Sequence, residues 1–463
     1  MDSIIKYTNI QINKFTMKKI LKIFFNAESL FGRCLLAFVY IFVYDIVYEN
    51  FVYHFFNYMG LDYIEMSLPY RVNWMLFSIL PFVAYQGINN LSSFLSLFLY
   101  LFVYIPLIHA LYITWGISYF TTLAYSSILC VFFILYFRVG KEITIFKKII
   151  IKPSLPFKII EIIALLLTLI FVLYRGGSMH FVNIFTQVDV LYDLRAKNAE
   201  AADSIGIIPY LQGWLFGAFY PFLLVNYLHS KKRLKAICII CGYFALFMVD
   251  MQKITFFMPF VLIVFYRLVK LNEKTIAQNL HSIIMSIIII FSIILLIFSN
   301  NTIVFSIGLI FLLRTVCVGG WLGQLYLHFF RENAFLHYSH INIVNAITGE
   351  YPYDVPLGVA VSYGSQNANA NFFLTDGLAA WGLFGVFIIA VIFYILMHLI
   401  ISISYRYKKA DLIIIFLPTL SYLLNTSLFT TLLSNGLLIL ILILMSAKCP
   451  ISDNIKKEEE YEK

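Results

Sequence analysis

The sequence predicts an all-α polytopic membrane protein of about twelve transmembrane helices. Three observations carry that expectation. Of 463 residues, 61% are hydrophobic and only 12% are charged, against roughly 25% charged in a soluble domain. Mean hydropathy is +0.87, and no water-soluble core hides that much apolar surface. The apolar residues also gather in runs of about 20, the length that crosses a bilayer as a helix.

The N-terminal Met17–Phe25 (MKKILKIFF) is basic, then apolar. Asn26 and Glu28 interrupt it too early for the core of a cleavable signal. It reads as a cytoplasmic amphipathic lead-in. Spans are expected near 34–56, 73–89, 91–115, 117–137, 158–174, 207–228, 236–250, 254–269, 281–300, 379–400, 411–425 and 427–447. Asp250 and Lys253 leave only a tight turn between the seventh and eighth.

Charge orients this thread. With both ends cytoplasmic, 26 of the 33 Lys and Arg residues fall in cytoplasmic segments and seven outside, as the positive-inside rule requires. The net charge of +9 is thus a topology signal, and nucleic acid is not an expected partner. The whole chain, 1–463, reads as one transmembrane domain. It has a smaller external loop at 175–206, a large external loop at 301–378 and a cytoplasmic tail at 448–463. The large loop opens with FSIGLIFLLRTVCVGGWLGQLYLHFF, readable as a short helix lying on or dipping into the membrane surface. The six cysteines are scattered. Cys238 and Cys241 form a CxxC inside the apolar AICIICGYFALF and read as small hydrophobes.

Cations outside are few. Arg175, Arg195, Arg314 and Arg331 stand against the positive-inside bias, and a guanidinium fork binds phosphate oxygens bidentately. The bland alternatives are snorkelling at the interface or local pairs, Arg331 with Glu332 and Arg195 with Asp193. The large loop holds His328, His337 and His340. A histidine there serves as a general base near neutral pH or is a plain loop residue, and no spacing supports a metal site. Asp45 and Glu49, one turn apart inside the first span, keep a proton-coupled carrier open as a reading.

The run SQNANANFFLTDG presses Asn367, Asn369, Asn371 and Asp376 against the start of a span. On a helix Asn367 and Asn371 share a face; on an extended segment all three asparagines do. Amides beside Tyr351, Tyr353, Tyr363, Phe372 and Phe373 suit sugar hydroxyls. Helix capping by Asn371 or Asp376 is the structural alternative.

ANANFFLTDGLAAWGLFGVFI resembles the late-span segment of bacterial oligosaccharide repeat-unit polymerases, the O-antigen and capsule (Wzy-type) family. FLLRTVCVGGWLGQLYLHFFRENAF is similar to that family's arginine-bearing start of the large periplasmic loop. LYDLRAKNAEAADSIGIIPYLQGWLFGAFYPFLLVNYLHSKKRLK is similar to its smaller loop. The resemblance covers about the C-terminal two thirds. It implies a GT-C-like, metal-independent membrane glycosyltransferase without cofactor, in the bacterial cytoplasmic membrane. It acts on an undecaprenyl-diphosphate-linked glycan at the outer leaflet of the lipid bilayer. A chain-length regulator and a flippase of the same pathway are the expected partners. Arg195 and Arg314 match the arginines placed near diphosphate, with Arg331 and His337 as weaker matches. His337, His340 or Asp376 is expected as base, and Arg175 and the asparagines as substrate contacts. The rival readings are a flippase of lipid-linked sugar and an O-antigen ligase. The ligases' His-Asn pair is missing here, where Gln366 precedes Asn367.

Overall fold

The structure is a computed structural model that describes residues 29–140, 145–146, 153–183, 190–191, 193–195, 197–198 and 208–451. The N-terminal lead-in, most of the tail and much of the 175–206 loop lie outside the described residues.

The described chain is mostly helical. Seven helices are long and apolar enough to cross a membrane: Leu30–Met59, Leu91–Ile113, Tyr119–Arg138, Phe157–Ser178, Lys253–Ile297, Thr302–Glu332 and Phe373–Ile403. Polar residues between the apolar runs start several helices. The side chain of Ser29 accepts from the Gly32 N–H, Ser118 from Thr121, and Asn90 with Ser93 forms a reciprocal capping box before Leu91. Each satisfies a backbone donor that the first helical turn leaves open.

The expected 236–250 span is a regular helix, Arg233–Asp250, and several others take less regular forms. Leu68–Ala84 is a 17-residue helix containing Pro81. The expected 411–425 span breaks at Phe416 into Lys409–Ile415 and Leu417–Asn425. The expected 427–447 span splits into Leu428–Leu433 and Leu437–Ser446. The two spans expected at 254–269 and 281–300 are limbs of one element, Lys253–Ile297, broken at Asn272 (φ −157°, ψ 57°). Beside that break the Ile88 N–H donates to the Ala277 carbonyl at 2.9 Å.

The opening of the large loop is a 31-residue helix, Thr302–Glu332, longer than the short surface helix the sequence suggests. It bends. Phe305 packs on Phe51, Phe55 and Phe56. Val316 and Cys317 then share a small cavity with Tyr40 and Tyr44, deeper in the bundle. Trp321 returns to donate to the Met59 carbonyl at 3.0 Å. The helix thus dips inward and rises again. Gly319 and Gly320 let its rising half lie against the Phe102 and Pro106 carbonyls, where a Cβ would stand 2.6 Å away.

Tyrosines knit the helices together. Pro81 has no N–H for the Phe77 carbonyl, and the Tyr104 hydroxyl takes that acceptor at 2.6 Å. Tyr100 reaches the Ser78 carbonyl at 2.7 Å and Tyr136 the Ala390 carbonyl at 2.8 Å. Such bonds tie helices where apolar burial gives no driving force between them.

One end of the bundle carries the basic turns. There Arg406 donates to the Leu444 and Met445 carbonyls at 2.8 and 2.9 Å, closing a helix end that attracts cations. Helix Phe373–Ile403 leads from that end to the opposite one. Its continuous limb, residues 383–403, is about 31 Å long at helical rise.

Candidate functional site

Helix Phe373–Ile403 is broken at Trp381 (φ −151°, ψ 33°) and Gly382 (φ 59°, ψ −133°). Only glycine adopts the second conformation without strain. The break frees the Ala379 and Ala380 carbonyls. The incoming loop occupies them: Leu336 N–H donates to Ala379 at 2.8 Å and His337 N–H to Ala380 at 3.1 Å. His337 and Tyr338 then take left-handed backbone (φ 48° and 67°), an uncommon pair of choices for such side chains. That turn brings His340 to Asp376, with Nε2 3.0 Å from Oδ1.

Asp376 is fully buried. Ser427 Oγ donates to its Oδ1 at 2.6 Å and the Leu428 N–H donates to its Oδ2. Ser427 caps helix Leu428–Leu433, so the carboxylate lies at a helix N-terminus, which favours negative charge. An ionised carboxylate only accepts. Paired with such a carboxylate, a neutral His340 donates from Nε2 and carries its lone pair on Nδ1. That Nδ1 has no hydrogen-bond partner and is itself buried.

His340 lines a cavity of about 530 Å³. One wall is the extended segment after Gln366. Asn367 and Asn369 are exposed while Ala368 and Ala370 are buried, the alternation of extended backbone. Gly358 lets this wall approach: its carbonyl accepts from the Ala368 N–H at 2.9 Å, and a Cβ there would stand 2.3 Å from the Asn367 side chain. Tyr351 and Tyr353 form another wall, rings 5.8 Å apart and nearly perpendicular. Burial pushes the Tyr351 phenol up to about 12, with the neighbouring Tyr353 adding to it. Burial likewise carries the Tyr338 phenol up to about 12, helped by the Asp376 charge. Both stay neutral donors at pH 7. Thr426, Ser427 and Thr430 close the far side.

The sequence candidates divide. His340, Asn367 and Asn369 line the cavity, and Asp376 stands behind His340. Asn371 does not join the other two asparagines. It is buried and its Oδ1 accepts the Phe373 N–H at 3.1 Å, so the structural alternative, a helix start, is what it forms. Asp376 is no open base, since its oxygens are occupied. His337 is exposed, its ring 6.1 Å from that of Trp381.

No arginine lines the cavity among the described residues. Arg314 is exposed on the descending half of the bent helix, with buried Leu313 before it and Val316 and Cys317 after. Arg331 is exposed and pairs with Glu332 at 3.0 Å, also donating to the Trp115 carbonyl at 3.2 Å. Arg175 is buried. Its Nη2 donates to the Asn198 carbonyl at 2.8 Å, and its Nη1 has no partner. Arg195 is exposed and acts on the charge of Asp250. Asp250 accepts from Gln212 at 2.8 Å and from Thr255 at 2.6 Å. The Gln212 helix, Ile208–Trp214, touches the end of Leu428–Leu433, with Trp214 donating to the Leu433 carbonyl at 2.8 Å. That short helix separates the Arg195 cluster from the cavity.

Ser427, Thr426, Thr430, Asn342, Asn345 and Asp354 also line the cavity and were missed in the sequence. The signal for the first three was present: NTSLFTT sets five polar residues among seven, just before an apolar stretch. Among the described residues no three His, Cys, Asp or Glu side chains group as metal ligands. No protein-family model, no curated protein and no solved structure matches the chain.

Proposed function

We propose that this chain is a membrane glycosyltransferase that polymerises undecaprenyl-diphosphate-linked oligosaccharide repeat units, of O-antigen or capsule type. In this reading its twelve-span thread is GT-C-like and its cavity opens at the outer leaflet of the bacterial cytoplasmic membrane. The observation that carries it is the His340–Asp376 pair at the wall of an amide- and tyrosine-lined cavity.

An acceptor hydroxyl in the cavity loses its proton to His340 Nδ1, once the ring shifts to bring that buried atom to the cavity wall, as its oxygen attacks the anomeric carbon of the donor glycan. The bond from that carbon to the lipid diphosphate breaks, and the diphosphate leaves with the electron pair. Asp376 orients the ring and stabilises the imidazolium that forms. Asn367 and Asn369 hold sugar hydroxyls. The leaving charge falls to an arginine of the smaller loop. A cation stabilises such a developing anion, and Arg195, exposed on that loop, is the one this reading assigns to it. Arg314 is left for the lipid-facing approach.

Deleting the gene and resolving surface glycan on a gel tests the reading. Single-repeat products are the expected result. A full ladder in the deletion strain overturns it.

One observation favours a second reading, a carrier of lipid-linked sugar. His109 and Asp45 form a buried pair at 3.0 Å, with Arg71 3.7 Å from Asp45. Accumulation of lipid-linked unit on the cytoplasmic side of the deletion strain would select it.

A further inference from the structure

The cavity beside His340 is polar but almost without charge. Its walls carry four side-chain amides (Asn342, Asn345, Asn367 and Asn369), and Asn345 spends one acceptor on the Tyr351 N–H at 3.3 Å. Among the described residues that line it there is neither Lys nor Arg. Its only carboxylate is Asp354, exposed between Tyr353 and Val355. A second, Asp376, lies buried behind the His340 ring.

We propose that this cavity takes the uncharged, hydroxyl-rich end of a glycan and rejects sugars that carry a carboxylate. This rests on the glycan reading above and names the substrate class that reading leaves open. A sugar hydroxyl both donates and accepts, and amides answer both needs with one group. The pyranose faces of such a sugar are apolar and match the Tyr351 and Tyr353 rings. A uronate or other acidic sugar finds no lysine or arginine among the described lining residues to replace its water. It meets Asp354 in the wall, and like charge with no compensating partner is how a site excludes the wrong ligand.

The test uses the purified full-length chain in lipid nanodiscs. Neutral disaccharides (lactose, cellobiose and N,N′-diacetylchitobiose) are titrated against the same sugars oxidised at C6 to uronates, and binding is read by saturation-transfer NMR. The expected result is binding of neutral members and at least about tenfold weaker binding of their uronates. Asp354→Asn narrows that gap, and because Asp354 is exposed the variant retains the fold. Asn367→Ala with Asn369→Ala weakens the neutral series. Uronates binding as well as or better than their neutral partners overturn the charge inference and leave the glycan reading standing. Binding by no member of either series, or neutral binding unmoved by the asparagine variants, removes the glycan reading and this inference together.

Discussion

Two buried histidine–aspartate pairs in this molecule have nearly the same geometry. His109 Nε2 lies 3.0 Å from Asp45 Oδ1, and His340 Nε2 lies 3.0 Å from Asp376 Oδ1. In both, Nδ1 has no partner. Their surroundings differ. His109 is fully buried, packed by the rings of Tyr44, Tyr48 and Trp74 at 5.1, 4.8 and 4.9 Å. His340 stands at the wall of a cavity of about 530 Å³. Asp376 is held by Ser427 and the Leu428 N–H, whereas Asp45 has Arg71 as its second neighbour. A histidine with a free nitrogen is a base only where a proton source can reach it. Both Nδ1 atoms are themselves buried, so the difference is that a shift of the His340 ring would meet a cavity, whereas the His109 ring is walled by other rings.

The strongest way to break this contrast is to remove each histidine. His340→Ala is expected to slow repeat-unit transfer by roughly 10²–10⁴-fold, the usual worth of a general base. Polymerisation by the purified protein measures the rate, and an unchanged thermal transition shows that the fold survived. A normal ladder from that variant would end the assignment.

His109→Ala should do the reverse. Leaving the Asp45 carboxylate without its main partner costs on the order of 3 kcal/mol of stability, read as earlier unfolding in detergent. Glycan chain length made by the surviving protein should not change. A loss of activity at unchanged stability would instead favour the carrier reading.

The double replacement Asn367→Ala, Asn369→Ala sharpens the cavity's side of the contrast. Each lost hydrogen bond is worth about 1 kcal/mol, so acceptor KM should rise roughly thirtyfold while kcat holds. An unmoved KM would return both asparagines to loop architecture.

The smallest effect concerns a third pair, His328 with Asp62, which lies at the surface with side chains 29% and 24% exposed. Partial burial raises the Asp62 carboxyl, but the His328 and Trp115 N–H hydrogen bonds outweigh it and hold it below its usual 3.8. A carboxyl depressed in the folded state adds stability above its unfolded pKa. That contribution is lost as pH falls through the lower folded value. For so exposed a pair it is under about 1 kcal/mol. The unfolding midpoint should drop between about pH 5 and 3, and Asp62→Asn should flatten part of that drop.

Local chemistry was readable in several places. The asparagine run admits a helix or extended backbone, and the structure makes Asn367 and Asn369 extended; Ser29, Ser118 and Asn90 start helices. Pro81 announces an unfilled carbonyl, though not that Tyr104 fills it. The asparagine run shows where such reading stops. Three residues of one type at even spacing look equivalent, yet Asn371 turns inward because the helix starting beyond it needs an acceptor for the Phe373 N–H. The arginines show the same limit. Their rarity outside marks them, but nothing in their own neighbourhoods says that none of the four lines the cavity.

Composition, apolar run length and the placement of basic residues determine by themselves that this is a helical membrane protein and which ends of its helices are basic. Those are sums over local properties, and the bilayer acts on each segment separately. Three features depend on contacts between residues far apart in the chain. One is the dip of Thr302–Glu332, set by glycines that lie against carbonyls of another helix. Another is the split of Lys253–Ile297 into limbs around Asn272. The third is the meeting of His340, Asp376 and Ser427, separated by 36 and 51 residues. A broken helix frees two carbonyls, a loop binds them, and a serine from a later turn completes the carboxylate. Each step is cheap only because the others are already in place, so no segment records it alone.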